Sequence, residues 1–412
     1  MITTQSQRHC VSHLEAAIDG TKLPAGTIQT LHKGKPLWVR YDLDAVREAV
    51  SREDLVEREE TMWRYRELLP VARDENIVSL GETMTPLIHC PRLGARLGLR
   101  KLFIKDESRL PTGSFKARGM AVAISMAKEL GITRVAAPTA GNAGGAMAAY
   151  AARAGMESYV FMPSDTPLVN RYEAVLYGAK TFLIDGLIND CGRIVGEGKE
   201  PMGWFDMSTL KEPYRIEGKK TMGLELAEQM GWTLPDVILY PTGGGTGLIG
   251  MWKAFDELTQ IGWLENDNKP RMYACQSSGC APIVDAFDKG ERFADPAKDP
   301  HTIASGLRVP VAVGDFMILD AVRESRGKAL ATDEDKLLDW MREACALEGI
   351  ALCPEAAACL GVLESALAAG EISHDERIVI FNTGAAQKYI EAMQVEIPTL
   401  DHTKPIEWAS LG

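Results

Sequence analysis

From residue 102 onward, short apolar runs alternate with longer amphipathic ones, and this alternation limits the possible folds more than any other feature of the chain. Strands are predicted at 102–105, 135–138, 159–162 and 181–184. Between them come helices over about 114–130, over 142–154 with a stop at Gly155, and one ending before Gly178. A second block follows, with a helix over 219–230 stopped by Gly231, a strand at 237–240, a helix over 248–258 and strands at 272–276 and 377–381. Strands separated by helices require right-handed crossovers, hence mostly parallel sheets covered on both faces. The expected fold class is α/β, with two open, mostly parallel-sheet domains.

Residues 1–75 stand apart as an N-terminal extension, because 44–69 is charged and helix-like and no βαβ run precedes it. No fixed-period repeat is present, which sets solenoids and propellers aside. At 412 residues, with 46% hydrophobic and 25% charged content, the chain can bury two cores. A formal charge of -12 and a pI near 5.2 argue against a nucleic-acid or anionic-membrane partner, since either is met by a basic face.

The eight cysteines are scattered, with no CxxC pair, which fits reduced thiols in a cytoplasm. The first thirty residues carry Glu15 and Asp19 and lack the basic-then-apolar layout of a signal peptide. No run approaches the roughly 18 apolar residues of a membrane span. A cytoplasmic location is expected.

Four short motifs carry the chemistry. Pro111-Thr112-Gly113-Ser114-Phe115-Lys116-Ala117-Arg118-Gly119 places Lys116 at the opening of a helix. There the positive end of the dipole disfavours the ammonium form and helps the amine act as nucleophile and base. Lysine is also the side chain that forms an imine with an aldehyde cofactor. Pro241-Thr242-Gly243-Gly244-Gly245-Thr246-Gly247 joins a strand to a helix. Its backbone N–H groups and the helix N-terminus make a phosphate cradle, and the loop lacks the lysine of a nucleotide-hydrolase loop.

Thr139-Ala140-Gly141-Asn142-Ala143 opens another helix. Its Asn amide can donate to a phenolate-like oxygen while nearby N–H groups meet a carboxylate, and the same residues also serve as a plain helix cap. Phe381-Asn382-Thr383-Gly384 follows the last strand, where a hydroxyl reaches the crevice in which open α/β sheets bind ligands.

In this order, the four motifs resemble those of enzymes dependent on pyridoxal 5′-phosphate (PLP) with the tryptophan synthase β-subunit fold, fold type II. Within that group the chain resembles threonine synthases. Further matching features are Leu80-Gly81-Glu82, Thr85-Pro86-Leu87, Pro213-Tyr214-Arg215-Ile216-Glu217-Gly218 and Thr302-Ile303-Ala304-Ser305-Gly306-Leu307-Arg308.

The resemblance implies that Lys116 holds PLP as a Schiff base, with Phe115 beside it, and that Asn142 meets the cofactor's 3′-oxygen. Gly243, Gly244, Gly245, Thr246 and Gly247 would hold its phosphate, and Thr383 its pyridine nitrogen. The implied substrate is a small amino acid, O-phosphohomoserine, held by Thr139, Ala140, Gly141, Asn142 and Arg215, with Lys219 or Lys220 as helpers. A guanidinium such as that of Arg215 grips phosphate oxygens bidentately.

The implied reaction eliminates the γ-phosphate and adds water at Cβ to give threonine. A homodimer is implied as well, divided into the extension 1–75, a PLP-binding domain of 76–118 with 223–412, and a small domain of 119–222.

Two positions depart from the threonine synthase pattern. Ala117 stands where many carry aspartate, and Ala143 where many relatives carry a hydroxyl residue. They leave room for β-elimination or β-replacement on serine, threonine or phosphoserine, as in dehydratases or cysteate synthase. Residues 34–43 resemble the end of a zinc-ribbon segment. Only Cys10 precedes them, with His9, His13 and His32 nearby, so no metal is expected. Glu355, after Cys353-Pro354, is either close to the cofactor or simply a helix-start glutamate.

Overall fold

The computed structural model describes residues 10–393 and 397–411, so His9 lies outside the described residues. Strands β1 (Val11–Ala16), β2 (Lys22–Leu23) and β3 (Leu37–Tyr41) lead into α1 (Leu43–Ala49). Then come β4 (Leu87–His89), α2 (Pro91–Leu97), β5 (Leu102–Asp106), α3 (Lys116–Glu129), β6 (Arg134–Pro138), α4 (Asn142–Arg153), β7 (Glu157–Pro163), α5 (Leu168–Leu176) and β8 (Lys180–Ile184). The chain continues through α6 (Ile188–Glu197), α7 (Lys199–Met202), β9 (Phe205–Asp206), α8 (Tyr214–Gln229), β10 (Val237–Pro241), α9 (Thr246–Ile261), β11 (Arg271–Ser277) and α10 (Pro282–Asp288). It closes with α11 (Asp315–Glu324), β12 (Ala329–Thr332), α12 (Leu337–Glu348), α13 (Pro354–Ala368), β13 (Ile378–Asn382) and α14 (Ile390–Met393).

The strands form three sheets, ordered β2-β1-β3, β12-β11-β10-β13-β5-β4 and β8-β7-β6-β9. The four-stranded sheet is parallel throughout, and the six-stranded one is parallel except at β4, which runs antiparallel to β5. This is the α/β architecture that the alternation predicts. Central strands such as β10 and β13 are buried along their whole length, as strands covered on both faces must be.

The reading of 44–69 as helix-like holds only for α1. Beyond it lie two 3₁₀ segments, Glu53–Glu57 and Met62–Leu68. The Asp54 carboxylate accepts both the backbone N–H and the hydroxyl of Ser51, at 2.8 Å each, which starts a separate turn. Met62, Trp63, Arg64 and Tyr65 are then buried consecutively, a pattern no one-sided helix provides.

The extension forms the small antiparallel sheet, its apolar side chains join the main core, and a polar cluster also links it to the rest. The Tyr41 hydroxyl donates to Glu217 at 2.8 Å, and Glu217 pairs with Lys220 at 2.8 Å and Lys253 at 3.0 Å. His13 faces Ser12 and Glu15, whereas His32 faces Asp19. Among the described residues, no group of three or more His, Cys, Asp or Glu is placed to hold a metal ion. None of the described helices is long and apolar enough to cross a membrane.

Helices α3 and α8 join the two parallel sheets. They approach so closely that a Cβ on Gly218 would overlap the backbone carbonyl of Arg118. Below this contact lies a fully buried ion cluster. Arg118 meets Glu107 at 2.6 Å and Glu225 at 2.7 Å, and Lys105 meets Glu225 at 2.6 Å.

Candidate active site

A cavity of about 490 Å³ opens between the two parallel sheets, within the size range of small-molecule sites. Its floor is the lysine segment. After β5 the chain makes two 3₁₀ turns, Glu107–Arg109 and Pro111–Gly113, in which Thr112 takes a left-handed φ of 59°. Lys116 is the first residue of α3. The Phe115 N–H donates to the Thr383 carbonyl at 3.1 Å and the Ala385 N–H to that of Gly113 at 2.9 Å, so motifs more than 260 residues apart form one backbone ladder.

Lys116 is half-buried in the cavity floor. Burial, reinforced by the Arg215 guanidinium, pushes its amine down to about 7, with Glu355 opposing. At neutral pH a large fraction of that amine is an unprotonated nucleophile, as Schiff-base formation requires.

The cavity is lined by Phe115, Lys116, Thr139, Ala140, Gly141, Asn142, Arg215, Gly243, Gly244, Gly245, Thr246 and Thr383, each of which the sequence singles out. Gly245 has φ +69°, and a Cβ there would strike Ile318. The loop therefore presents backbone, without side chains, between Thr242 and the start of α9. Gly247 lies one step deeper, packed against Tyr240 and outside the lining.

The Thr139 hydroxyl is spent within its own turn, donating to the Gly141 carbonyl at 2.8 Å and accepting the Gly141 N–H at 3.1 Å. It shapes the turn and is not a free donor. Arg215 is buried and reaches the cavity. One of its terminal nitrogens donates to the Met207 carbonyl at 2.8 Å, and its Nε has no partner.

The two lysines grouped as substrate helpers separate. Lys219 turns toward the Phe115 carbonyl, beneath the cavity. Lys220 points to another face of the helix, between Glu217 and Glu257 and against the Tyr41 ring, because successive helix residues lie about 100° apart.

Several lining residues escape the motifs. Ser208, Thr209 and Lys211 come from the loop between β9 and α8, and Arg193 from α6. Arg308 makes a two-pronged ion pair with Asp165 at 2.6 and 2.7 Å, tying the Thr302–Arg308 stretch to the β7–α5 loop. Glu355 does line the cavity, as does Tyr389, which carries no sequence signal of its own. The Cys353 thiol lies 3.7 Å from the Thr383 hydroxyl, and burial pushes it up beyond the usual thiol range.

The residues present suit PLP. An aldehyde needs a neutral amine, and Lys116 supplies one. The phosphate needs bare N–H groups at a helix start, and the loop before α9 supplies them. Buried polar atoms without a protein partner, Asn142 Oδ1, Ser305 Oγ and Arg215 Nε, belong to the lining residues, as expected where a polar ligand completes the site.

Residues 78–384 match the family described as pyridoxal-phosphate dependent enzyme, and the chain belongs to that family. Threonine synthase of Methanocaldococcus jannaschii is 36% identical over 88% of this chain and 89% of its own length. Threonine synthase of Methanosarcina acetivorans is 34% identical over 84% of each. The solved structure of diaminopropionate ammonia lyase from Escherichia coli shares the fold, with a TM-score of 0.66 at 19% identity, over 79% of this chain and 93% of that one.

Proposed function

We propose that this chain is a threonine synthase, which converts O-phosphohomoserine and water into threonine and inorganic phosphate. The observation that carries the reading is that a depressed lysine amine and a buried arginine with an unpartnered Nε face one cavity, in a chain similar to threonine synthases over more than four fifths of its length.

Lys116 would hold PLP, with Phe115 beside it. The segment Gly243–Thr246 and the start of α9 would take the cofactor's phosphate, Asn142 its 3′-oxygen and Thr383 its pyridine nitrogen. PLP supplies the electron sink that renders the substrate's α- and β-hydrogens acidic. The protein's own residues do the rest. The Lys116 amine takes the α-proton and later returns it, a role suited to a base poised near neutrality. Arg215 grips the substrate phosphate and steadies it as it departs from Cγ. The turn at Gly141 and the uncapped start of α4 receive the α-carboxylate. The Arg308–Asp165 pair ties the Thr302–Arg308 stretch to the β7–α5 loop beside the cavity.

We also place the protein in the cytoplasm as a homodimer, with 76–118 and 223–412 as the PLP-binding domain, 119–222 as the small domain and 1–75 as the extension.

The test supplies O-phosphohomoserine and follows phosphate and threonine together. Equal release of both supports the reading. Formation of 2-oxobutanoate from threonine without turnover of O-phosphohomoserine would overturn it. Borohydride reduction should leave the cofactor's mass on Lys116.

A further inference from the structure

Tyr389 ends a short turn, Ala386–Tyr389, seven residues beyond the strand that delivers Thr383. It is 3% exposed. Its hydroxyl lies 2.7 Å from Glu355 Oε1 on α13 and 3.1 Å from Asn142 Nδ2 at the start of α4. The turn thus spans the two sides of the cavity, since α13 packs on the six-stranded sheet and α4 on the four-stranded one.

The hydrogens in this chain of contacts have a forced direction. Glu355 Oε1 also lies 2.8 Å from the Gly306 N–H, which can only donate, so this oxygen serves as an acceptor. The tyrosine has a single hydrogen, and it goes to the carboxylate. Burial, together with the Glu355 charge, pushes the Tyr389 hydroxyl far above the usual phenol range, so the hydrogen stays in place. What Tyr389 offers Asn142 is therefore a lone pair, and Asn142 must answer with Nδ2 and not Oδ1.

We infer that Tyr389 is a positioning residue of this site: it passes its hydrogen to Glu355 and so fixes the Asn142 amide with Nδ2 as donor, leaving that nitrogen's second hydrogen for the cofactor's 3′-oxygen. The inference rests on the reading of Asn142 as the residue that meets that oxygen. A donor there favours the form of the bound Schiff base with the proton on the imine nitrogen and the charge on oxygen. An amide turned end for end would place lone pairs against that charge and favour the form with the proton on oxygen. The two forms absorb at different wavelengths.

The experiment loads wild type, Tyr389→Phe, Asn142→Ala, the double variant and Glu355→Gln with PLP, and reads the ratio of the two absorbance bands and the PLP dissociation constant. Tyr389→Phe and Asn142→Ala are each expected to move the ratio toward the oxygen-protonated form by about fivefold or more, the worth of one hydrogen bond. The double variant should move no further than Asn142→Ala alone, because Tyr389 acts through Asn142. Glu355→Gln keeps an amide oxygen opposite the Gly306 N–H, so it still accepts the tyrosine's hydrogen and should leave the ratio near wild type. An unchanged ratio in Tyr389→Phe beside a changed one in Asn142→Ala overturns the inference, as does a double variant in which the two shifts add. A ratio in Glu355→Gln that moves as far as in Tyr389→Phe overturns the hydrogen-bond direction on which it stands. If neither Asn142→Ala nor Tyr389→Phe changes the spectrum, the reading of Asn142 falls first and takes the inference with it, a pattern distinct from the others.

Discussion

The side-chain amine of Lys219 donates a hydrogen bond to the backbone carbonyl of Phe115, the residue just before the cavity lysine. Both amines lie over the Phe115 ring, Lys116 Nζ 3.7 Å and Lys219 Nζ 4.1 Å from its centroid. Burial, then the neighbouring Lys116 and Arg215, push the Lys219 amine well below the usual lysine range. Its hydrogen bond holds the lysine segment from beneath.

Lys116 of the PLP-free protein should titrate near 7. The check is the pH dependence of its reaction with an amine-selective reagent, read by mass spectrometry. Arg215→Ala should raise the midpoint by removing a cation, whereas Lys219→Met should leave it in place and instead lower stability by about 1 to 3 kcal/mol, the cost of an unpaired buried carbonyl. The sign for stability follows. Between about 7 and the ordinary 10.5 the unfolded chain holds more protons than the folded one, so the PLP-free fold gains stability as pH rises through that window.

Arg215→Ala should raise KM for O-phosphohomoserine on the order of 100-fold, as expected for loss of a buried charge-assisted contact, and change the PLP dissociation constant far less. Steady-state kinetics beside a PLP titration separates the two. Arg215→Lys should recover part of the loss, because it restores charge without the two-pronged grip.

Glu225→Gln should destabilise the fold by about 3 to 5 kcal/mol, because Arg118 and Lys105 lose their shared buried counter-charge. The urea midpoint measures this. Burial alone would raise the Glu225 carboxyl, but Arg118 and Lys105 outweigh it and hold it at about 2. Its contribution is therefore complete above the ordinary value of 4.5 and is lost as pH falls toward about 2. Wild type should weaken across that range more steeply than Glu225→Gln.

Gly218→Ala should cost about 3 kcal/mol, since the new methyl group overlaps backbone that cannot move aside. Gly196→Ala, on α6 with nothing within 4 Å of its Cβ, should instead stabilise by about 0.5–1 kcal/mol. Thermal unfolding of the two variants distinguishes close packing from helix propensity.

The strand-turn-helix units were legible because each places its motif in a turn at the C-terminal end of a strand, where local composition and ligand position coincide. Lys116, Asn142, Gly244 and Thr383, which line the cavity, stand in such turns. Tyr389 was not legible, because its meaning lies in Asn142, 247 residues away, and in Glu355, 34 residues away. Lys211 and Thr209 were missed for a related reason, since the loop carrying them has no motif and is brought to the cavity by a two-residue strand. The different directions of Lys219 and Lys220 are hidden because the sequence does not say which face of α8 meets which neighbour. The antiparallel β4 and the broken 44–69 segment depend on long-range pairing and consecutive burial, which periodicity does not report.

Helix α8 is buried from Tyr214 to Ala227. Around its circumference Arg215 faces the cavity, Glu217 the N-terminal sheet, Lys219 the lysine segment and Glu225 the ion cluster. With ionisable groups on every side, it has no single oily stripe along which to collapse against one neighbour during folding. Its partners lie in the N-terminal extension, in the segment from β5 to α3 and in α9, so the helix gains its stability only when all of them have arrived. The helix is therefore expected to consolidate late in folding, after the segments that satisfy its charges are in place.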